Sequence, residues 1–157
     1  MDDDNIPVVK FSVDMQGIEK MKQVAALMSS NGFEEAVGVA NATETKAKAL
    51  SKAFIRNAGA KEVDQAQQIE SSLVGHGKSG YVPTGNLQGS IKPKFNKNGL
   101  EVSVKPEATN GKNQPYGQHV EFGTYKMAPE PYMKPSGEKV SAELDKEFED
   151  IIRKAAD

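Results

Sequence analysis

Apolar positions change period several times along the first half of the chain. Val8, Val9, Phe11 and Val13 form a short run with strand character. Asp14 then stands where a helix N-cap is expected, with Val13 and Ile18 spaced as a hydrophobic staple. Ile18, Met21, Ala25 and Met28 follow at helical spacing, and Ser29-Ser30-Asn31-Gly32 stops that helix. Asn31 with Glu34 is placed to cap a second, long helix over about residues 33 to 57. Its stripe is Phe33, Val37, Ala40, Ala47, Leu50, Phe54 and Ala58, and its alanines predict close helix packing. Asn57 and Gly59 are expected to end it. A third helical piece, Lys61 to about Leu73, carries Val63, Ala66, Ile69 and Leu73. Gly75 to Gly80 reads as a flexible loop.

The period then drops to two. In "IKPKFNKNGLEVSVK", residues 91–105, Asn98-Gly99 separates two alternating runs and predicts a hairpin with a two-residue type I′ turn. That turn pairs Phe95 with Val102 and Pro93 with Val104, and sets Ile91, Pro93, Phe95, Leu100, Val102 and Val104 on one face. Proline donates nothing to a ladder, so the Pro93 strand belongs at an edge, where another chain can add. Residues 106–115 are polar loop. A last helix is expected over about residues 137–155, N-capped by Ser136, with the stripe Val140, Leu144, Phe148, Ile151 and Ala155. Glu138 in its first turn and Arg153 and Lys154 in its last suit the macrodipole. The fold class is α+β in one domain, residues 1–157: a small antiparallel sheet with a hairpin, packed by a long N-terminal helix pair and a C-terminal helix.

Charge adds one feature to this picture. The net charge of -2 gives no global attraction to nucleic acid or membrane. Residues 71–117, however, hold six lysines against Glu101 and Glu107, leaving the rest of the chain acidic. Such asymmetry suits stacking between unlike faces of neighbouring subunits. With no cysteine, disulfides and thiolate metal sites are excluded. No apolar run approaches the roughly 18 residues of a membrane span. The opening "MDDDNIP" is acidic where a signal peptide is basic, so synthesis and folding in a cytoplasm are expected.

Catalytic motifs are weak. "SLVGHGKS", Ser72 to Ser79, imitates a phosphate-binding loop through Gly77-Lys78-Ser79, but its first position is Ser72 rather than glycine, and it follows a helix-like segment rather than a buried strand. The two histidines, His76 and His119, lack the further partners a zinc site needs. Glu121, between Val120 and Phe122, is read as a partly buried brace held by backbone N–H groups of the turn around Gly123-Thr124. No catalytic, cofactor or metal residue is assigned, and the expectation is a protein that is not an enzyme.

"YGQHVEFGTYKMAPEPYMKP", residues 116–135, has three prolines and three tyrosines, too much proline for a regular element and too much aromatic surface for a linker. Phe122 is expected as a core anchor, Gly123 as a corner with positive φ, and Thr124 to Pro135 as a stiff arm. Along that arm Met127, Pro131 and Tyr132 stand partly exposed for a partner.

This stretch resembles the C-terminal signature of the tail-completion proteins of long-tailed phages, a family of lambda Z-like head–tail joining components. Tyr116, Val120, Glu121, Phe122, Gly123, Thr124, Met127, Pro129, Pro131, Tyr132 and Pro135 carry the likeness. "PTGNLQGSI", Pro83 to Ile91, resembles the family's Pro-x-Thr-Gly-x-Leu-x-x-Ser-Ile box through Thr84, Gly85 and Leu87, with Pro83 directly adjoining Thr84 as a departure. Residues 59–80 depart further, as a helical, glycine-rich insertion. The resemblance implies a non-enzymatic virion protein at the head–tail junction, made in the bacterial host cytoplasm. It implies a homo-oligomeric ring, commonly sixfold, that contacts the head connector or stopper and the tail terminator or tail tube. DNA crosses that ring without sequence-specific binding. A tail terminator or other minor tail component is the alternative within that class, and a nucleotide-binding protein using Gly77-Lys78-Ser79 the alternative outside it.

Overall fold

The computed structural model describes residues 5–75 and 79–156. Among them, a three-stranded antiparallel sheet is flanked by helices, the expected α+β class. In chain order the elements are β1 (Val9–Ser12), α1 (Gln16–Ser30), α2 (Glu35–Leu73), α3 (Asn86–Ser90), β2 (Ile91–Phe95), β3 (Glu101–Pro106), α4 (Gly117–Phe122) and α5 (Met133–Ala156).

The sheet order is β1-β3-β2. β3 takes the centre, and its alternating Val102 and Val104 are fully buried. Phe95 pairs with Val102 and Pro93 with Val104, the predicted register, and Pro93 lies in an edge strand. The turn differs from expectation. Type I′ needs positive φ at both Asn98 and Gly99, and only Gly99 has it, at 74°. The loop is instead closed by Asn96: its N–H donates to Glu101 O (3.1 Å) and its carbonyl accepts from Gly99 N–H (3.2 Å). Its side-chain oxygen also accepts from the N–H groups of Leu100 and Glu101. Five residues, 96–100, thus bridge the strands, with the same register as the two-residue turn.

Helix ends follow local hydrogen bonding. Asp14 Oδ1 accepts from Gln16 N–H at 2.9 Å, although Met15 occupies the cap position itself. Asn31 does not cap α2; its side-chain amide donates back to Leu27 O. α1 closes as a Schellman motif, with Phe33 N–H on Met28 O, Gly32 N–H on Ser29 O and Gly32 at φ 101°.

The largest correction is α2. The two helices expected on either side of Gly59 are one helix of 39 residues, about 60 Å long at 1.5 Å per residue. Gly59 is a contact point rather than a stop: a Cβ there would stand 3.0 Å from Val102 Cγ2 and 3.3 Å from the Phe95 ring. Helix backbone and sheet approach closely because the glycine has no side chain. The residues from 59 to 73 thus continue α2, with Glu62, Ala66 and Glu70 buried. The buried face is also rotated from the predicted stripe: Ile55 is fully buried, while Phe54, Val63 and Ile69 are half-buried.

α5 starts at Met133, earlier than expected, and buries Val140 and Leu144. It runs along α2, with Phe54 and Phe148 rings 5.4 Å apart and Lys61 paired with Glu143 and Glu147. It meets β1 at Gly137, where a Cβ would stand 2.9 Å from Val9. The side chains of Lys154 and Ala155 lie outside the described residues.

Candidate functional site

Glu121, on α4, caps the N-terminus of α5. One carboxylate oxygen of the buried Glu121 accepts from Tyr132 N–H (2.7 Å) and Met133 N–H (2.8 Å), and the other from Lys134 N–H (2.9 Å). Three of the amide donors that open a helix are thus satisfied by one anion, at the positive end of the dipole. The expected brace exists, but its donors come from α5 and not from the Gly123-Thr124 turn. Ser136, the expected cap, is fully buried inside the first turn instead.

Around this brace the 116–135 stretch sorts into an inner and an outer set. Tyr132, expected partly exposed, is fully buried, and its hydroxyl donates to Gly117 O at 3.0 Å. Gly117 is required there: a Cβ would meet Tyr132 Oη at 2.8 Å and Pro106 Cγ at 2.7 Å. Phe122, expected as a core anchor, points outward and is 61% exposed. α4 is a helix, and helical rotation places Phe122 away from the face that buries Val120 and Glu121. Gly123 does take positive φ, 75°, and a Cβ would press 2.7 Å from Met127 O.

From that corner Thr124 and Met127 exchange two backbone hydrogen bonds, making a tight finger with Tyr125 and Lys126 at its tip. Tyr125 is 92% exposed, with the Lys126 ammonium 5.3 Å from its ring centroid. Met127 is half-buried against the core, and Pro131 is exposed. Glu130 N–H donates to Val120 O at 2.8 Å and closes the base. Tyr125 was not singled out in the sequence. Its signal was an aromatic flanked by Thr and Lys directly after a glycine corner.

The Thr-Gly box sits beside this unit. Gly85 has φ 87° and leads into α3, Thr84 Oγ1 accepts from Asn86 N–H at 3.4 Å, and Leu87 is fully buried. Asn86 donates to Tyr116 Oη at 3.0 Å, so the segments 83–91 and 116–135 touch.

Beneath them lie two carboxyls of α2 that sequence reasoning missed. Burial pushes Glu62 up to about 7, with Glu121 adding repulsion and the Ser136 hydrogen bond opposing both. Ser136 Oγ lies 2.6 Å from Glu62 Oε1 and 2.8 Å from Met133 O. A serine hydroxyl carries one proton, so both contacts are hydrogen bonds together only when Glu62 is protonated and donates. Burial raises Glu70 as well. Polar residues at helical spacing look like a solvated face in a sequence, which is why neither was found.

The N-terminal half of α2 and α1 form a different surface. Val24, Leu27, Met28, Phe33, Val37 and Val39 are all exposed. Several of them line a groove of about 700 Å³ between the two helices, whose only charged lining residues are Glu34 and Glu35.

No group of three metal-ligating side chains occurs among the described residues, and no helix there is long and apolar enough to cross a membrane. His119 lies half-buried on α4. The phosphate-loop imitation begins inside α2, which ends at Leu73, while His76, Gly77 and Lys78 lie outside the described residues. Comparison with models of protein families, with curated proteins and with solved structures gave no match to this chain.

Proposed function

We propose that this chain is a non-enzymatic subunit of a ring at the head-proximal end of a phage tail, joining the filled head to the tail. The carrying observation is how the signature stretch divides. Glu121, Gly117 and Tyr132 lock it to α5 and the core, while Phe122 and Tyr125 face solvent. A rigid scaffold that holds aromatics outward is suited to protein contact, because ordering entropy is spent in folding rather than in binding. The unpaired outer edge of β2 and the exposed helical groove offer further contact surface. In the ring, neighbouring copies complete each other's surfaces, one side meets the head connector or stopper, and the other meets the tail terminator or tail tube. DNA crosses the opening without base-specific contacts.

Electron microscopy of particles assembled without this protein tests the role. DNA-filled heads beside finished, unattached tails are expected. Normally joined particles would contradict it.

A further inference from the structure

The finger and the groove lie at opposite ends of the molecule. The base of the finger adjoins the C-terminal end of α2, where Gly75 N–H donates to Glu130 Oε2 at 3.0 Å. The groove is built from α1 and the first residues of α2, up to Ala40. Some 33 residues of helix separate Ala40 from Leu73, about 50 Å at 1.5 Å per residue. A chain cannot place its own finger in its own groove.

The two features match in shape class and in charge. The finger presents Tyr125, 92% exposed, with Phe122 at its base. It is stiffened by the Thr124–Met127 bridge and the positive-φ corner at Gly123. The groove offers an apolar bed of Val24, Met28, Phe33 and Val39, and its volume of about 700 Å³ is in the range that encloses small ligands. The finger carries one cation, Lys126, beside its aromatic tip. The charged residues lining the groove are both anions, Glu34 and Glu35. The second groove, between α1, α2 and α5, is lined by Asp14 and Lys46 and selects no sign.

We propose that the occupant of the α1–α2 groove is the Tyr125 finger of a second copy of this chain, with the partner's Lys126 beside Glu34 and Glu35. The contact is heterologous: each copy gives a finger and receives one. Such contacts build closed rings when the rotation between copies closes, and filaments when it does not. The inference deepens the ring reading given above and rests on it, by naming the two surfaces through which subunits meet.

Two variants test it in the purified full-length protein, followed by sedimentation velocity over a concentration series. Phe122→Ser with Tyr125→Ser removes the finger. Val24→Lys with Met28→Lys fills and recharges the groove. All four positions are exposed, and Tyr125→Ser alone serves as a milder change should the double variant fold poorly. The wild type is expected to form oligomers beyond the dimer. Each variant is expected to lose association about thirtyfold or more, as loss of a central aromatic anchor does. An equimolar mixture of the two is then expected to form one-to-one dimers and stop, since one finger and one groove remain. A wild type that stays monomeric overturns the inference. So do variants that associate like the wild type, or a mixture that gives no dimer. The two proposals fail separately. Head-to-tail oligomers together with normally joined particles lacking the protein would remove the neck role and leave the contact. Unjoined heads and tails with a monomeric wild type would do the reverse.

Discussion

The two halves of α2 have similar composition and opposite fates. From Glu35 to Leu50 only Ala40 is buried, while Val37 and Val39 remain exposed. From Ser51 to Glu70 seven residues are buried, Ile55, Ala58 and Ala66 completely, so this half carries the core. The sheet and the Glu121 brace close on the second half, whereas the first half faces α1 and, from Ala42 to Leu50, shares a groove with Phe148 and Ile151 of α5. Small residues have different consequences in each. Gly38 meets nothing within 4 Å, and Gly59 brings the backbone against Val102 and Phe95. A helix this long stays regular across both because propagation costs little once its packed half is formed. The open half is a surface held out from the core.

The largest expected effect comes at the brace. Glu121→Ala leaves three amide donors at the start of α5, those of Tyr132, Met133 and Lys134, without their acceptor and should cost about 4 kcal/mol. A lowered thermal midpoint with early loss of α5 helicity would show it. A loss below about 1 kcal/mol would mean that α5 is held by packing alone.

The next separates the halves directly. Ile55→Ala removes a fully buried side chain and should cost about 3 kcal/mol in denaturant unfolding. Val39→Ala, on the open half, should stay within about 0.5 kcal/mol. Equal losses would break the comparison.

A third prediction concerns the buried acid of the packed half. The folded-state value of Glu62 stands above the unfolded carboxylate value, from 4.5 to about 7. The folded protein therefore holds that proton more tightly. The stability this gives is fully present below about 4.5, is lost as pH rises toward 7, and is absent above it. Glu70 shifts in the same direction. Glu62→Gln, whose amide can donate to Ser136 Oγ, should raise stability at pH 8 by up to about 3 kcal/mol and change little at pH 4. A variant that is less stable at pH 8 would show that the charged form is the one accommodated.

The smallest effect lies at the hairpin tip, which reaches α2 near the junction of its halves, where a Cβ on Gly99 would meet Lys52 Cγ at 3.3 Å. Asn96→Ala removes the acceptor for two loop amides and should cost about 1 kcal/mol. Asn98→Ala, which loses one contact to Leu100 N–H, should cost less. The reverse order would restore the two-residue turn.

These particulars also show what the chain discloses on reading. Alternation marked the buried face of β3 but not of β2, where only Ile91 is buried, and the Phe95–Val102 pairing was legible because a closed loop centred on Asn98-Gly99 keeps that register. Val140 and Leu144 of α5 were legible from period, and Gly123 from its place between a regular element and a change of direction. What stayed hidden depends on residues far apart in sequence. Gly59 reads as a breaker until Val102 is known to lie above it. Glu62 reads as solvated until Ser136 and Glu121 close over it. Tyr132 reads as interface surface until Gly117, fifteen positions earlier, offers its carbonyl. The α1–α2 stripe was visible, but a stripe does not say whether its partner lies in the same chain.

Amide hydrogen exchange along α2, measured on the monomer and on the assembled oligomer, tests the central claim most directly. In the monomer, amides from about Ser51 to Leu73 should exchange only through global unfolding, and those from Glu35 to Leu50 through low-energy local opening. On assembly the slow region should extend to the N-terminal half as its groove is covered. Uniform protection along the whole helix in the monomer, unchanged by assembly, would contradict a molecule that leaves one half of its longest helix to be completed by a neighbour.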